Sequence, residues 1–283
     1  MKCKRVMFAV IFEVKQVTSA GSNTFDVISN GYLVYRGSAT WFPLGVDKNN
    51  KVILTDPNGN MIFQTKYSLI DNLAESSVPF KYLINGEQKF SQYQVVDVNG
   101  NDVGCFYDVR KSFLDSRLCI SFGNRVIYGY TRDIGLREVV SFYENDRQIG
   151  QITRTRKVVD NLDWYYVHFL PEYDVLLPLM AMYTIFYDYC FHNSSGQYVK
   201  GTYVNASYTY DYNSKKYNKN FIRDNFGEQE HARLEAFINR KVEFKVGNLT
   251  MKQFWIIFAI VWIAIILFTL ILGGVMWYII YNM

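Results

Sequence analysis

Chemistry at a protein site needs a titratable or nucleophilic side chain held near a partner, and this chain offers few such sets. Its three histidines, His168, His192 and His231, stand far apart. None has the spacing by which two imidazoles on one helix face reach a zinc ion. His168 falls in a run, Trp164 to Leu170, that reads as a strand, where a hydrogen-bonded structural imidazole is the expectation. The four cysteines, Cys3, Cys105, Cys119 and Cys190, form no CxxC pair. They read as reduced, mostly buried thiols rather than as a disulfide framework or a zinc site. No GxSxG elbow, phosphate-binding GxxxxGK loop or GxGxxG fingerprint occurs. The carboxylates Asp56, Asp97, Glu144 and Asp146 lie at turn signals, and turn chemistry accounts for them; calcium would require a denser oxygen cluster. No catalytic residue, metal site or cofactor is therefore expected, and the chain reads as a non-enzyme.

The chemistry that remains is electrostatic. Arg154, Arg156 and Lys157 follow a strand, with Arg154 and Arg156 on one face. Arg240, Lys241, Lys245 and Lys252 precede the C-terminal apolar run. Basic side chains beside an anionic leaflet contribute about 1 kcal/mol each, so these residues are the candidates for lipid contact. An ordinary solvated strand face is the alternative for the first group, and a purely topological role for the second. A net charge of +4 is too mild to indicate nucleic acid.

Those candidates must be positioned by the elements around them, and the plainest element is the last. From Gln253 to Tyr281 no residue carries a charge, and Phe254 to Leu272 is almost unbroken apolar sequence. About 20 helical residues cross a hydrocarbon core of about 30 Å, so 253–281 reads as a single transmembrane helix. Trp255 at one end, and Trp277, Tyr278 and Tyr281 at the other, suit the two interfaces; Trp255 to Trp277 is roughly 33 Å of helix. Thr269 and Gly273 make one small-xxx-small step that could seat a partner helix. Basic residues before the run, with none after it, place the N-terminal part in the cytoplasm.

Residues 1 to about 170 read as strands and tight turns. Asn30-Gly31, Asn58-Gly59, Asn85-Gly86, Asn99-Gly100 and the related Asn145-Asp146 punctuate apolar or alternating segments, the pattern of two-residue hairpins. Lys2, Lys4 and Arg5 precede Val6 to Phe12, but this apolar run is short and Glu13 and Lys15 follow, so it reads as the first strand rather than a signal peptide. Asp56-Pro57-Asn58-Gly59-Asn60 aligns with Asp97-Val98-Asn99-Gly100-Asn101, a repeat-like echo. Tyr and Phe, 23 and 21 residues, with only 5 Pro, favour pleated surfaces. A meandering antiparallel sheet closed into a barrel leaves no exposed edge.

Val175 to Tyr187 is apolar on nearly every side, so it is expected to be a buried helix inside or against the barrel; a re-entrant membrane segment is the alternative. Residues 194–252 read as a polar connector. Tyr208, Tyr210 and Tyr212 alternate as a short strand would, and 227–241, acidic early and basic late, suits an amphipathic helix. The domain expectation is thus a barrel over 1–193, the connector, and the membrane helix over 253–281.

Hairpins with Asn-Gly turns, a trailing Ile-Gly step and one buried helix resemble the tubby C-terminal-like superfamily, which includes the LURP-one-related proteins and phospholipid scramblases. The residues carrying the resemblance are Asp97 to Gly104, Arg147 to Ile152, Trp164 to Leu170 and Val175 to Tyr187. The resemblance implies about twelve antiparallel strands closed around a central hydrophobic helix. It also implies binding of phosphoinositide or anionic lipid, or a scramblase-like role. The palmitoylated cysteine cluster and Pro-rich N-terminus of the scramblases are missing from this sequence, and no phosphoinositide-binding motif of tubby can be matched to it. The functional expectation is a membrane-anchored cytoplasmic barrel for lipid contact or protein interaction at the inner leaflet. A scramblase-like lipid-handling protein and a cryptic enzyme or ligand-binding barrel are the alternatives.

Overall fold

The computed structural model describes residues 10–18, 22–40, 51–67, 82–112, 115–160, 162–192, 202–204, 216–239, 245–246 and 249–282. Twelve antiparallel strands close into a barrel. They are β1 (Val10–Thr18), β2 (Ser22–Ser29), β3 (Tyr32–Thr40), β4 (Lys51–Thr55), β5 (Met61–Tyr67), β6 (Gln88–Asp97), β7 (Asp102–Ser112), β8 (Asp115–Phe122), β9 (Arg125–Ile134), β10 (Arg137–Glu144), β11 (Arg147–Thr155) and β13 (Trp164–Phe169). Each pairs with its neighbour in sequence, except that β11 pairs directly with β13, and β13 closes the ring on β1, Val10 opposite Phe169. The short β12 (Lys157–Val159) leaves the barrel and pairs with β14 (Thr202–Val204) in a second sheet that continues through β15 (Lys245–Val246) and β16 (Leu249–Thr250).

Alternation makes the barrel wall two-faced: Val10, Phe12 and Val14 of β1 are buried and the residues between them are not. Tight turns join the strands at one rim. Asn30 and Gly31, and Asn145 and Asp146, both have positive φ, the backbone that two-residue hairpins require. The two Asp-x-Asn-Gly-Asn loops adopt one geometry. Asp56 Oδ1 accepts the N–H groups of Asn58 and Asn60 at 2.9 Å. Asp97 Oδ1 accepts those of Asn99 and Asn101 at 2.8 Å. These bonds hold both carboxyls below the ordinary carboxylate range, the Asn side chain four residues on contributing most. The sequence echo is therefore a repeated turn. Asn85-Gly86 is different: it ends a short helix, α1 (Tyr82–Asn85), with Gly86 at φ 78°, so the hairpin expected there is a helix stop.

The barrel is filled by a helix. After β13 a 3₁₀ turn, Pro171–Leu176, leads into α2 (Leu177–Phe191). Every residue of α2 from Leu179 to Tyr189 is buried. Pro178 lies in the first turn, where no intrahelical N–H is needed, so it starts the helix rather than kinking it. Tyr183 and Phe186 stack against Phe106 and Phe142 of the wall. A side chain at Gly37 would place its Cβ 2.2 Å from Ile185 Cδ1, so that glycine makes room for α2.

Outside the wall lie α3 (Phe221–Phe226) and α4 (Glu228–Ile238), broken at Gly227 (φ 91°). The helix expected over 227–241 is α4; α3 before it was not expected. Leu234, Phe237 and Ile238 are buried, with Phe237 edge-on to Trp164 at 4.6 Å. The alternating tyrosines 208–212 lie outside the described residues.

The C-terminal expectation is corrected. α5 spans Met251–Asn282 in backbone, but among the described residues no helix is long and apolar enough to cross a membrane. Residues described in full run without a break only from Trp255 to Thr269, about 22 Å of helix against a hydrocarbon core of about 30 Å. The transmembrane span, and the anchor built on it, is not supported and is set aside. With it fall the interfacial roles of Trp255, Trp277, Tyr278 and Tyr281 and the topology drawn from flanking charge.

Candidate functional site

Two features stand out above the barrel scaffold: a buried ionic cluster at one mouth, and an apolar helix surface open to solvent.

The cluster lies opposite the rim of tight turns, where α2 ends. Glu138 of β10 and Arg154 of β11 face each other across the ladder and point inward. Asp163 precedes β13, Tyr165 lies on β13, and Tyr187, Asp188 and His192 come from the end of α2. All of these are buried. Arg154 Nε donates to Asp163 Oδ1 at 2.7 Å, and its Nη1 lies 3.6 Å from Glu138 Oε2. Glu138 Oε1 is 3.0 Å from His192 Nε2 and accepts the Tyr187 hydroxyl. Tyr165 donates to Asp188 Oδ1 at 2.7 Å. Next to this set, Arg156 pairs with Asp133.

Burial alone would raise the Glu138 pKa, but the His192 bond and the charges of His192 and Arg154 hold it below its ordinary value. Burial likewise works against the Arg154 charge, yet the acids around it, Asp163 first, hold that guanidinium ionised beyond its usual range. Desolvated charges of this kind persist only when paired.

This geometry corrects the basic candidates. Arg154, Arg156 and Lys157 are 1%, 6% and 4% exposed, so they do not form a surface for lipid. Arg154 is drawn inward because its position on the pleat faces Glu138, and Arg156 because it reaches Asp133. Sequence reading missed Glu138, Asp163 and Asp188. The available signal was a glutamate at an inward position beside Val139 and Val140, and an aspartate inside an otherwise apolar helix. Arg240 and Lys241 lie outside the described residues. Lys245 falls in β15 and Lys252 in the first turn of α5.

The histidines resolve as partners of acids. His168 Nε2 is 3.0 Å from Glu230 of α4, one of three ties that hold α4 to the wall. The others are Arg233–Glu13 at 2.7 Å and Arg137–Glu235 at 2.5 Å. Among the turn carboxylates, Glu144 accepts both Arg125 nitrogens at 2.7 and 2.8 Å and the Tyr173 hydroxyl; Asp146 pairs with Lys216 at 2.6 Å. These two acids edge an open cleft of about 500 Å³ lined also by Arg117, Tyr128, Tyr130 and Tyr143. Each nearby cation already covers a ring: Arg117 those of Tyr128 and Tyr130, Lys216 that of Tyr143. Cys119 is buried, Cys105 is partly covered and Cys190 is exposed, all as free thiols.

The second feature is α5. Its fully described side chains are all exposed, and nearly all are apolar: Trp255 is 56%, Ile260 58%, Phe268 62% and Ile271 64% open. Thr269 turns its hydroxyl back on its own helix, donating to the carbonyls of Ile265 at 3.1 Å and Ile266 at 2.7 Å. Its polar group is therefore satisfied without a second helix.

Fold and site together define a class: a closed antiparallel β-barrel filled by its own helix, with a buried ionic mouth and an apolar helix surface at the C-terminal end. No protein-family model, curated protein or solved structure matches the chain.

Proposed function

We propose that the protein is a non-catalytic binding module whose barrel works at a lipid surface, with the apolar side chains of α5 as the contact. The carrying observation is the exposure of large apolar residues along α5 from Trp255 to Ile271. Contiguous apolar surface of this extent marks an interaction site, and removing one such side chain from water contributes about 1.5–3 kcal/mol. The filled interior also supports a binding role, because α2 occupies the volume in which a barrel would hold a small substrate. Kinship with the tubby-like superfamily belongs to the same reading. It is supported by the strand number and by the helix inside the ring.

Flotation of the full chain with vesicles tests this. The chain should float with neutral phosphatidylcholine vesicles, and replacing Ile260 and Ile263 by Asp should abolish flotation. Equal recovery of both proteins in the vesicle-free fraction would end the lipid reading. Substitution of Arg240, Lys241, Lys245 and Lys252 by Gln should lower binding to anionic vesicles only, since their contribution is electrostatic.

A further inference from the structure

We propose that Asp188 is a resident proton site, and that loss of this proton frees the last turn of α2 from the barrel mouth. The inference rests on the ionic cluster and is independent of the lipid reading.

The acids at the mouth are unequally partnered in the ion pairs of the described residues. From β9 comes Asp133, from β10 Glu138, from β11 Arg154 and Arg156, from the approach to β13 Asp163, and from α2 Asp188 and His192. β1 contributes the neutral Gln16, β13 contributes Tyr165, and α2 also contributes Tyr187. Asp163 has Arg154 at 2.7 Å, Glu138 has His192 at 3.0 Å and Arg154 at 3.6 Å, and Asp133 has Arg156. Of these acids, Asp188 is the one with no ion pair among the described residues. Its Oδ1 accepts a neutral phenol, and its Oδ2 has no protein partner among the described residues. A carboxylate that is fully buried, unpaired and near two other acids is the one whose charged form the site disfavours most. The proton therefore belongs on Asp188, with Tyr165 donating to the other oxygen. In agreement, burial first and the Asp163 charge second push the Asp188 pKa up to about 8.

The location gives the proton a mechanical consequence. The backbone carbonyl of Asp188 accepts the His192 N–H at 2.8 Å and so closes the last turn of α2. His192 and Tyr187 in turn tie that turn to Glu138. The C-terminal end of a helix already carries partial negative charge. Ionised Asp188 would add a full charge there, in a buried site where the Arg154 guanidinium already pairs with Asp163. The last turn can relieve this by leaving the mouth for water, which breaks the tie to Glu138.

Hydrogen exchange on the full chain, at about pH 6.5 and about pH 9.5, brackets the transition. After correction for intrinsic rates, amides of residues 183–192 should lose protection about tenfold at the higher pH, while those of 164–169 hold. Asp188→Asn keeps an acceptor for Tyr165 and carries no charge, so its exchange should be equally slow at both values. Infrared difference spectra should show a protonated-carboxyl band at neutral pH in the wild type that Asp188→Asn lacks. If Asp188→Asn does not fold, Tyr165→Phe serves: loss of the hydrogen bond should shift that band to higher frequency. Identical pH dependence in wild type and Asp188→Asn, no difference band between them, or a band unmoved by Tyr165→Phe would each overturn the proposal.

Discussion

The packing of the Phe169 ring over Gly150 gives a sharp test of how the barrel wall is built. Gly150 of β11 lies directly across from Phe169 of β13, and the Phe169 ring lies over the space a side chain would fill. A Cβ at Gly150 would meet Cε1, Cδ1 and Cζ of that ring at 2.3, 2.4 and 2.6 Å. Ordinary carbon contacts are about 3.5–4.0 Å, so the ring would have to retreat by more than 1 Å. It has little room to do so: Phe169 is 1% exposed and sits 5.4 Å from the ring of Phe142. Overpacking of this kind costs about 1–3 kcal/mol. The φ of Gly150 is not in the left-handed region, so Ala can adopt the backbone and recovers about 0.4–1 kcal/mol from the unfolded chain. The net expectation for Gly150→Ala is a loss of about 1–2 kcal/mol, a fall in Tm of about 2–8 °C. Thermal unfolding followed by circular dichroism measures it. The decisive control is the same substitution in a Phe169→Leu background, where the obstructing ring is gone and Ala should be neutral or slightly stabilising. A coupling near zero in that cycle, or a Gly150→Ala protein as stable as the wild type, would refute the packing reasoning.

Other outcomes follow from the polar contacts. Arg154→Met leaves buried Asp163 without its ion-pair partner and should lower stability in urea by about 3–5 kcal/mol with an unchanged m-value. Glu144, held below its ordinary pKa first by its bond to Arg125 and further by the Tyr173 hydroxyl, adds stability above the unfolded carboxylate pKa. That stability is lost as pH falls through the lowered folded value, so Glu144→Gln should flatten the acid limb of a Tm-versus-pH curve below about pH 4.5. Thr65→Val removes the buried acceptor for the Val52 N–H, which it holds at 2.8 Å. A loss of about 1–3 kcal/mol with faster exchange of that amide is expected.

Local rules reached far into this fold. Asn30-Gly31, Asn58-Gly59, Asn99-Gly100 and Asn145-Asp146 are turns because their residue types adopt the backbone a turn needs whatever surrounds them. The Asp-x-Asn-Gly-Asn echo is one geometry used twice because all its bonds are made within five residues. Most of the apolar run 175–187 had to be buried, since little of it suits water, and α2 lies inside the ring; its first residue, Val175, stays exposed in the 3₁₀ turn. The same rules gave a hairpin at Asn85-Gly86, where a glycine that permits positive φ serves equally well as a helix stop.

Residue types and their spacing were enough to set the strand-and-turn grammar and the need to hide one helix. The tertiary structure alone decided which charges meet. Arg154 and Arg156 look like any basic pair on a strand. The β10–β11 hairpin sets Glu138 opposite Arg154, but only the assembled barrel brings Asp163 and the end of α2 to that pair, the Glu138–His192 contact joining positions 54 residues apart. Electrostatic partners act through space and burial, and neither is a property of neighbours along the chain. For the same reason the basic group expected to meet lipid at Arg154 lies buried in the mouth of the barrel.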